Sequence, residues 1–208
     1  MKRLAILGAS GHGKVVADCA ELSGWDQVVF FDDAWPSKTI NGHWPIHGDT
    51  AALIESVSNF DGVVVGIGNN RIRQDKLRML SATGANLPVI AHPSALVSRY
   101  ATVGDGSVLI AGSIINIDSV IGMGAIINTG ASVGHDCSIG NAVHIAPGAK
   151  LAGGVSVGDR TWVGVGSAVR QMLRIGADVT IGAGAAVIKD VPDRATAVGV
   201  PARLRSLG

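Results

Sequence analysis

His135 and Asp136 stand side by side after Val133-Gly134. A histidine beside a carboxylate can act as a general base, because the acid stabilises the imidazolium formed when a proton is taken. A solvated surface pair is the alternative the residues alone leave open. His144 follows nine residues later. A second candidate group lies near the N-terminus. Gly8-Ala9-Ser10-Gly11-His12-Gly13 is followed about twenty residues on by Asp32-Asp33. A glycine turn that opens a helix can hold a phosphate on the free helix amides. An acid pair closing the next strand can take sugar or base hydroxyls.

Gly8, Gly11 and Gly13 depart from the G-x-G-x-x-G spacing, and the unit is short for a full dinucleotide fold, so NAD is disfavoured. A tight turn with no ligand remains the other reading. His43, His47 and His92 fall in loops and take no role. Cys19 and Cys137 lack metal or redox spacing, and no cluster has metal-ligand spacing, so no catalytic metal is expected.

The elements that carry these groups are of two kinds. Residues 1–85 alternate short apolar runs with helix-like stretches. Leu4–Leu7, Val28–Phe31 and Val63–Ile67 read as strands, and Lys14–Leu22, Ala51–Val57 and Arg71–Ala82 as helices. That alternation predicts a small Rossmann-like parallel α/β sheet. A crossover over 86–96 contains Pro88 and Pro93.

From Val97 to Val187 every sixth residue is Val, Ile or Leu, sixteen in all, without a slip in register. Six fits neither a helix nor an alternating strand; it marks a hexapeptide β-solenoid over 97–191. Four residues after the aliphatic comes a usually small residue, such as Ser107, Ala131 or Cys137. Gly often follows the aliphatic, as at Gly104, Gly122 and Gly134, where a repeated turn with unusual backbone angles is expected. In this register Val133 and Cys137 point inward, so His135 and Asp136 face outward near a corner. Residues 192–208 form a C-terminal extension.

Composition narrows the classes. Only 16% of the chain is charged and the formal net charge is +1, so no field exists to attract nucleic acid or an acidic membrane. No apolar run is long enough to span a bilayer, and the N-terminal run is too short for a secretory signal. A cytoplasmic protein without membrane insertion is expected.

The hexads, the Gly8–Gly13 turn, Asp32-Asp33, Gly68-Asn69-Asn70-Arg71 and the Val198–Arg203 ending together resemble one family. It comprises the hexapeptide-repeat nucleotide-sugar N-acetyltransferases and sialic-acid O-acetyltransferase-like proteins of bacterial glycan biosynthesis. The resemblance covers nearly the whole chain. It implies a left-handed parallel β-helix of about five coils, three hexads to a coil, working as a homotrimer with acetyl-CoA as co-substrate. By the same resemblance, Ser10, Gly11, His12, Asp32, Asp33, Gly68 and Asn128 would contact a nucleotide-sugar. His135 would be the base, supported by Asp136. His144 would lie near the thioester, the Gly153 amide would face its carbonyl, and Val165 and Ala183 would line the pantetheine groove. The Val198–Arg203 segment would lie near the adenine. Trp162 is expected outward, at a subunit contact. The activity implied is transfer of acetyl to the amine of a UDP-4-amino-4,6-dideoxy sugar. O-acetylation of a sugar hydroxyl, or a non-catalytic trimeric scaffold, are the alternatives.

Overall fold

The computed structural model describes residues 1–205. Its first unit contains β1 (Arg3–Leu7), α1 (Gly11–Leu22), β2 (Gln27–Phe31), the hairpin β3 (Ile40–Asn41) and β4 (Trp44–Pro45), α2 (Thr50–Ser56), β5 (Gly62–Val65) and α3 (Asn70–Ala82). The sheet order is β2-β1-β5, all parallel. Strands buried on both faces need apolar residues throughout, and Leu4 to Leu7 are all buried. Alternate residues feed two cores. Leu4, Ile6, Val28, Phe30 and Val64 pack with α1 and with Ile90, Val108 and Ile110 of the solenoid. Ala5, Leu7, Val29, Phe31 and Val65 pack with Leu53, Leu77 and Leu80. The first of these cores joins the two units.

From Ile90 onward the chain winds as a β-solenoid of two-residue strands. Each pairs in parallel with the strand eighteen residues on, as in Ile115↔Val133, Ile121↔Ile139 and Ile127↔Ile145. Three hexads therefore make one coil, with three sheets as its sides. The repeated aliphatics and the small residues between them fill one continuous core. Val97 is the exception. It is 41% exposed, because it sits in the first coil and has no neighbour beneath.

The solenoid is longer than the hexads alone imply. One side has six strands, from Leu96–Val97 to Ala186–Val187, where sixteen hexads suggest about five coils. An extra rung, Ile90–Ala91, lies within the stretch expected as a crossover. Another, Thr196–Val198, pairs with Thr180–Ile181 at an offset of sixteen, beyond the last regular hexad. Arg203–Leu204 then folds back antiparallel on it. Residues 206–208 of the expected extension lie outside the described residues.

The glycines after the aliphatics do not adopt the angles expected of them. The left-handed position falls two residues later, at Gly106, Gly124, Gly154 and their equivalents, and also at Asp136. Gly122 and Gly134 are needed for space instead. A Cβ on either would lie 2.6–2.7 Å from the backbone of the next coil. Close stacking, rather than turn geometry, excludes a side chain there.

Candidate active site

His135 leaves the side of the solenoid that carries Ser132–Val133, at an exposed corner. Asp136 follows in the left-handed conformation, with φ 56°. That bend brings the two side chains together, with His135 Nδ1 2.6 Å from Asp136 Oδ2. The carboxylate accepts, so Nδ1 carries the hydrogen and Nε2 keeps a free lone pair. Nε2 lies over Gly153 on the next coil, where an added Cβ would come within 2.3 Å of it. Any larger residue at 153 would push the ring away.

The other solenoid groups fall elsewhere. Asn128, His144, Val165 and Ala183 lie on the strands Ile126–Ile127, His144–Ile145, Trp162–Val163 and Thr180–Ile181, or within two residues after them. These belong to a different side from Ser132–Val133. Val165 and Ala183 are exposed, Val165 by 48%. The first unit packs against this same side, with Cys19 Sγ 3.8 Å from the Leu109 carbonyl.

His144 therefore does not join His135 and Gly153 within one chain. It is half-buried at the seam between the units, its ring centroid 6.2 Å from that of His12. Its Nε2 lies 3.0 Å from Asn128 Nδ2. Burial, then the Arg73 charge, then His12, push its pKa down to about 3, against a smaller opposing contribution from the Gly68 backbone. Burial and Arg73 likewise lower His12 to about 4. Both rings are neutral at physiological pH. His12 Nε2 is buried without a hydrogen-bond partner. His12 thus turns into the seam rather than toward the acid pair.

The glycine turn forms the start of α1. Ser10 takes the N-cap position without a side-chain bond to the helix, and no acid occupies the first turn. Those amides and the Ser10 hydroxyl remain available to an anion. A cleft of about 180 Å3 opens beside the turn, lined by Leu7, Gly8, Ser10, Asp32, Asp33, Ile67 and Lys76. Asp32 accepts from Ala9 N at 2.6 Å and Ala34 N at 2.9 Å, so it braces the turn itself. Asp33 is the more open acid. Hydrogen bonding by Thr50, chiefly, and by Lys76 holds its carboxyl below the usual range. Gly68 borders a second crevice with Asn69, Asn70, Arg71, Arg160, Trp162 and Asp178. Trp162 is half-buried in this crevice.

Three groups escaped the sequence reading. Lys76 Nζ sits 3.1 Å from Asp33 and 2.8 Å from Thr50 Oγ1, in the cleft wall. Lys38 Nζ bonds the Ala9 carbonyl, and Asn41 donates to the Ser10 carbonyl, so the β3–β4 segment clasps the turn. Arg73 is 1% exposed and donates to Gly124 O, Ile67 O, Gly68 O, Asn70 Oδ1 and Ala142 O at 2.8–3.0 Å. Its spacing with Leu77 and Leu80 on α3 put it on the buried face, a signal present in the sequence. Lys76 and Lys38 left no such signal.

Among the described residues, no group of three or more His, Cys, Asp or Glu could hold a metal ion. Among the same residues, no helix is long and apolar enough to cross a membrane.

Comparison with known proteins agrees with both units. The PglD N-terminal domain family matches residues 3–80, and the bacterial transferase hexapeptide family (six repeats) matches residues 118–153. A Bacillus subtilis UDP-N-acetylbacillosamine N-acetyltransferase is 40% identical over 116 residues. That match covers 53% of this chain and 52% of the relative, about half the length of each. The acetyltransferase domain of PglB from Neisseria gonorrhoeae, solved with acetyl coenzyme A, superposes with a TM-score of 0.94 at 41% identity, over 98% of this chain and 99% of that one. PerB from Caulobacter crescentus, solved with CoA and GDP-perosamine, gives a TM-score of 0.94 at 40% identity, over 99% of this chain and 98% of that one. Correspondence at this identity over nearly the full length of both solved chains means that the chain belongs to the hexapeptide-repeat sugar acetyltransferases with a PglD-type N-terminal domain.

Proposed function

We propose that the protein transfers acetyl from acetyl-CoA to the amine of a nucleotide-linked amino sugar. The observation that carries this reading is the His135 arrangement. Asp136 fixes the hydrogen on Nδ1, and Nε2 is left as a proton acceptor above Gly153. The sugar amine attacks the thioester carbon, a C–N bond forms, and the C–S bond breaks, so that coenzyme A leaves as a thiolate and takes up a proton. His135 Nε2 takes the amine proton, and the Asp136 carboxylate stabilises the imidazolium. The Gly153 amide is the candidate donor to the carbonyl oxygen as negative charge develops there.

The nucleotide part is assigned to the first unit. The Gly11–Gly13 amides suit the phosphates, and Asp33 and Lys76 line the adjoining cleft. Two solved relatives named above support the ligand classes, one with acetyl coenzyme A and one with CoA and GDP-perosamine. The base and the nucleotide-sugar do not share a side of the solenoid. The cleft unit, Asn128, Val165 and Ala183 lie on one side and His135 on another. A site composed of two chains reconciles them, and a homotrimer supplies three equivalent sites.

The test is thiol release from acetyl-CoA with a panel of acceptors: UDP-, TDP- and GDP-linked amino sugars, free sialic acid and no acceptor. Release with one nucleotide-linked amino sugar is expected and identifies the nucleotide. Release with sialic acid alone would replace this reading by O-acetylation. Acetyl-CoA binding with silence across the panel would favour a scaffold.

A further inference from the structure

The corner that carries His135 runs the length of the solenoid. Residues eighteen apart stack on successive coils, so Arg99, Ile117, His135, Gly153, Gln171 and Lys189 form one row. Lys189 keeps the register because Val187, two residues before it, pairs with Val169. The order within the row sets a direction. His135 stands on the coil before Gly153, so an amine arriving at Nε2 comes from that side. The arm of a donor whose carbonyl meets the Gly153 amide then leaves on the other side, past Gln171 toward Lys189.

Coils are about 4.8 Å apart, so Lys189 stands about 10 Å beyond Gly153, and its side chain extends the reach. The pantetheine arm of acetyl-CoA has the length of about four residues, or about 14 Å extended, and ends in a diphosphate. The two lengths agree. The row ends at a cleft of about 230 Å3 on the last coil, whose lining includes Ile188, Lys189, Asp190, Arg203 and Leu204. Lys189 and Arg203 are exposed, and neither makes an ion pair among the described residues. The acid in the lining, Asp190, accepts from Arg174 N at 2.9 Å. Arg203 gives one hydrogen to Ala202 O and keeps the rest of its fork.

We propose that Lys189 and Arg203 hold the phosphates of acetyl-CoA, so that the donor is recognised at its nucleotide end as well as at the thioester. This rests on the function proposed above, in which Lys189 has no part. Two cations on one cleft suit a phosphate, because guanidinium and ammonium both donate charge-assisted hydrogen bonds to its oxygens. Acetyl carried on an arm without phosphates loses this hold. Arg99 is the other cation of the row, two coils before His135, with its guanidinium 5.6 Å from the centre of the Tyr100 ring. It lies on the acceptor's side of the base and serves as the control.

Steady-state kinetics with acetyl-CoA and with S-acetylpantetheine, which has no phosphate, test it. Lys189→Met is expected to raise KM for acetyl-CoA roughly tenfold, and adding Arg203→Met to raise it further. Neither change should alter KM for acetylpantetheine or for the nucleotide-linked amino sugar. Lys189→Arg should restore most of the loss, since a phosphate accepts from either cation. Arg99→Met should match wild type on acetyl-CoA. Equal losses on both donors, an unchanged acetyl-CoA KM, or a larger loss from Arg99→Met would overturn the proposal. Calorimetric titration of CoA into wild type and Lys189→Met reads the contact without turnover. A Kd roughly tenfold weaker is expected in the variant, and an equal Kd overturns it. Should the wild type acetylate no amino sugar, the functional reading fails, while the binding result still decides the anchor.

Discussion

The His135 imidazole lies directly over the Cα of Gly153, on the next coil, with no room for a methyl group between them. Eighteen residues separate the two in sequence, one full turn of the solenoid. Gly153 thus has a steric duty toward the base as well as any duty toward the thioester carbonyl. Gly153→Ala is expected to displace the ring and bring turnover down toward that of a His135 deletion. Thermal unfolding should hardly change, because this corner is solvent-accessible. A fully active Gly153→Ala protein would remove the contact from the mechanism.

His135→Ala should lower kcat by roughly 10²- to 10⁴-fold at neutral pH. Asp136→Asn should have a smaller effect, and it should move the pH–rate profile, since the imidazolium loses its carboxylate partner. A profile identical to that of wild type would show that the 2.6 Å contact has no part in proton transfer.

Lys76→Met should raise KM for the nucleotide-linked sugar about tenfold, without changing KM for acetyl-CoA. The lysine holds Asp33 and Thr50 in the cleft wall. Equal effects on both substrates would mean that it serves folding alone.

Arg73→Met should destabilise the protein, measured by chemical denaturation, by about 1–3 kcal/mol for each buried carbonyl left without a donor. Backbone carbonyls of both units, at Gly68, Gly124 and Ala142, would lose their donor together. Arg73→Lys should rescue little, because one ammonium cannot reach acceptors placed for a planar fork. Recovery of wild-type stability in the lysine variant would contradict this account.

Acid should weaken the fold through two imidazoles. His12 and His144 bind protons less readily folded, with values near 4 and 3, than unfolded, with values near 6.5. Their contribution is complete above pH 6.5 and is lost as pH falls, down to about 4 for His12 and about 3 for His144. Each adds a slope of up to about 1.4 kcal/mol per pH unit inside that window. Asp33 and Asp178, whose carboxyls are held below the usual range by hydrogen bonds from Thr50 and Arg160, act only in stronger acid. Urea unfolding at pH 7 and pH 5 should therefore differ, and His12→Gln should remove part of the difference. A flat wild-type profile would rule out the buried neutral pair.

The solenoid was legible in the sequence because its contacts repeat. Residues eighteen apart meet on successive coils, so a strict six-residue period writes the packing into the chain, as in Val133↔Leu151. The glycine turn was legible for a related reason, since strand, turn and helix are contiguous. The outward His135-Asp136 pair followed from the same register. What the sequence did not contain is how the first unit docks. Only tertiary structure decided that His144 faces His12 and Asn128, that Arg73 bonds carbonyls 51 and 69 residues away, and that Lys76 closes the cleft on Asp33. It also decided why glycine follows the aliphatic, since that depends on the backbone of the neighbouring coil. Periodicity reports neighbours at a fixed interval; a contact between two differently built units has no interval to report.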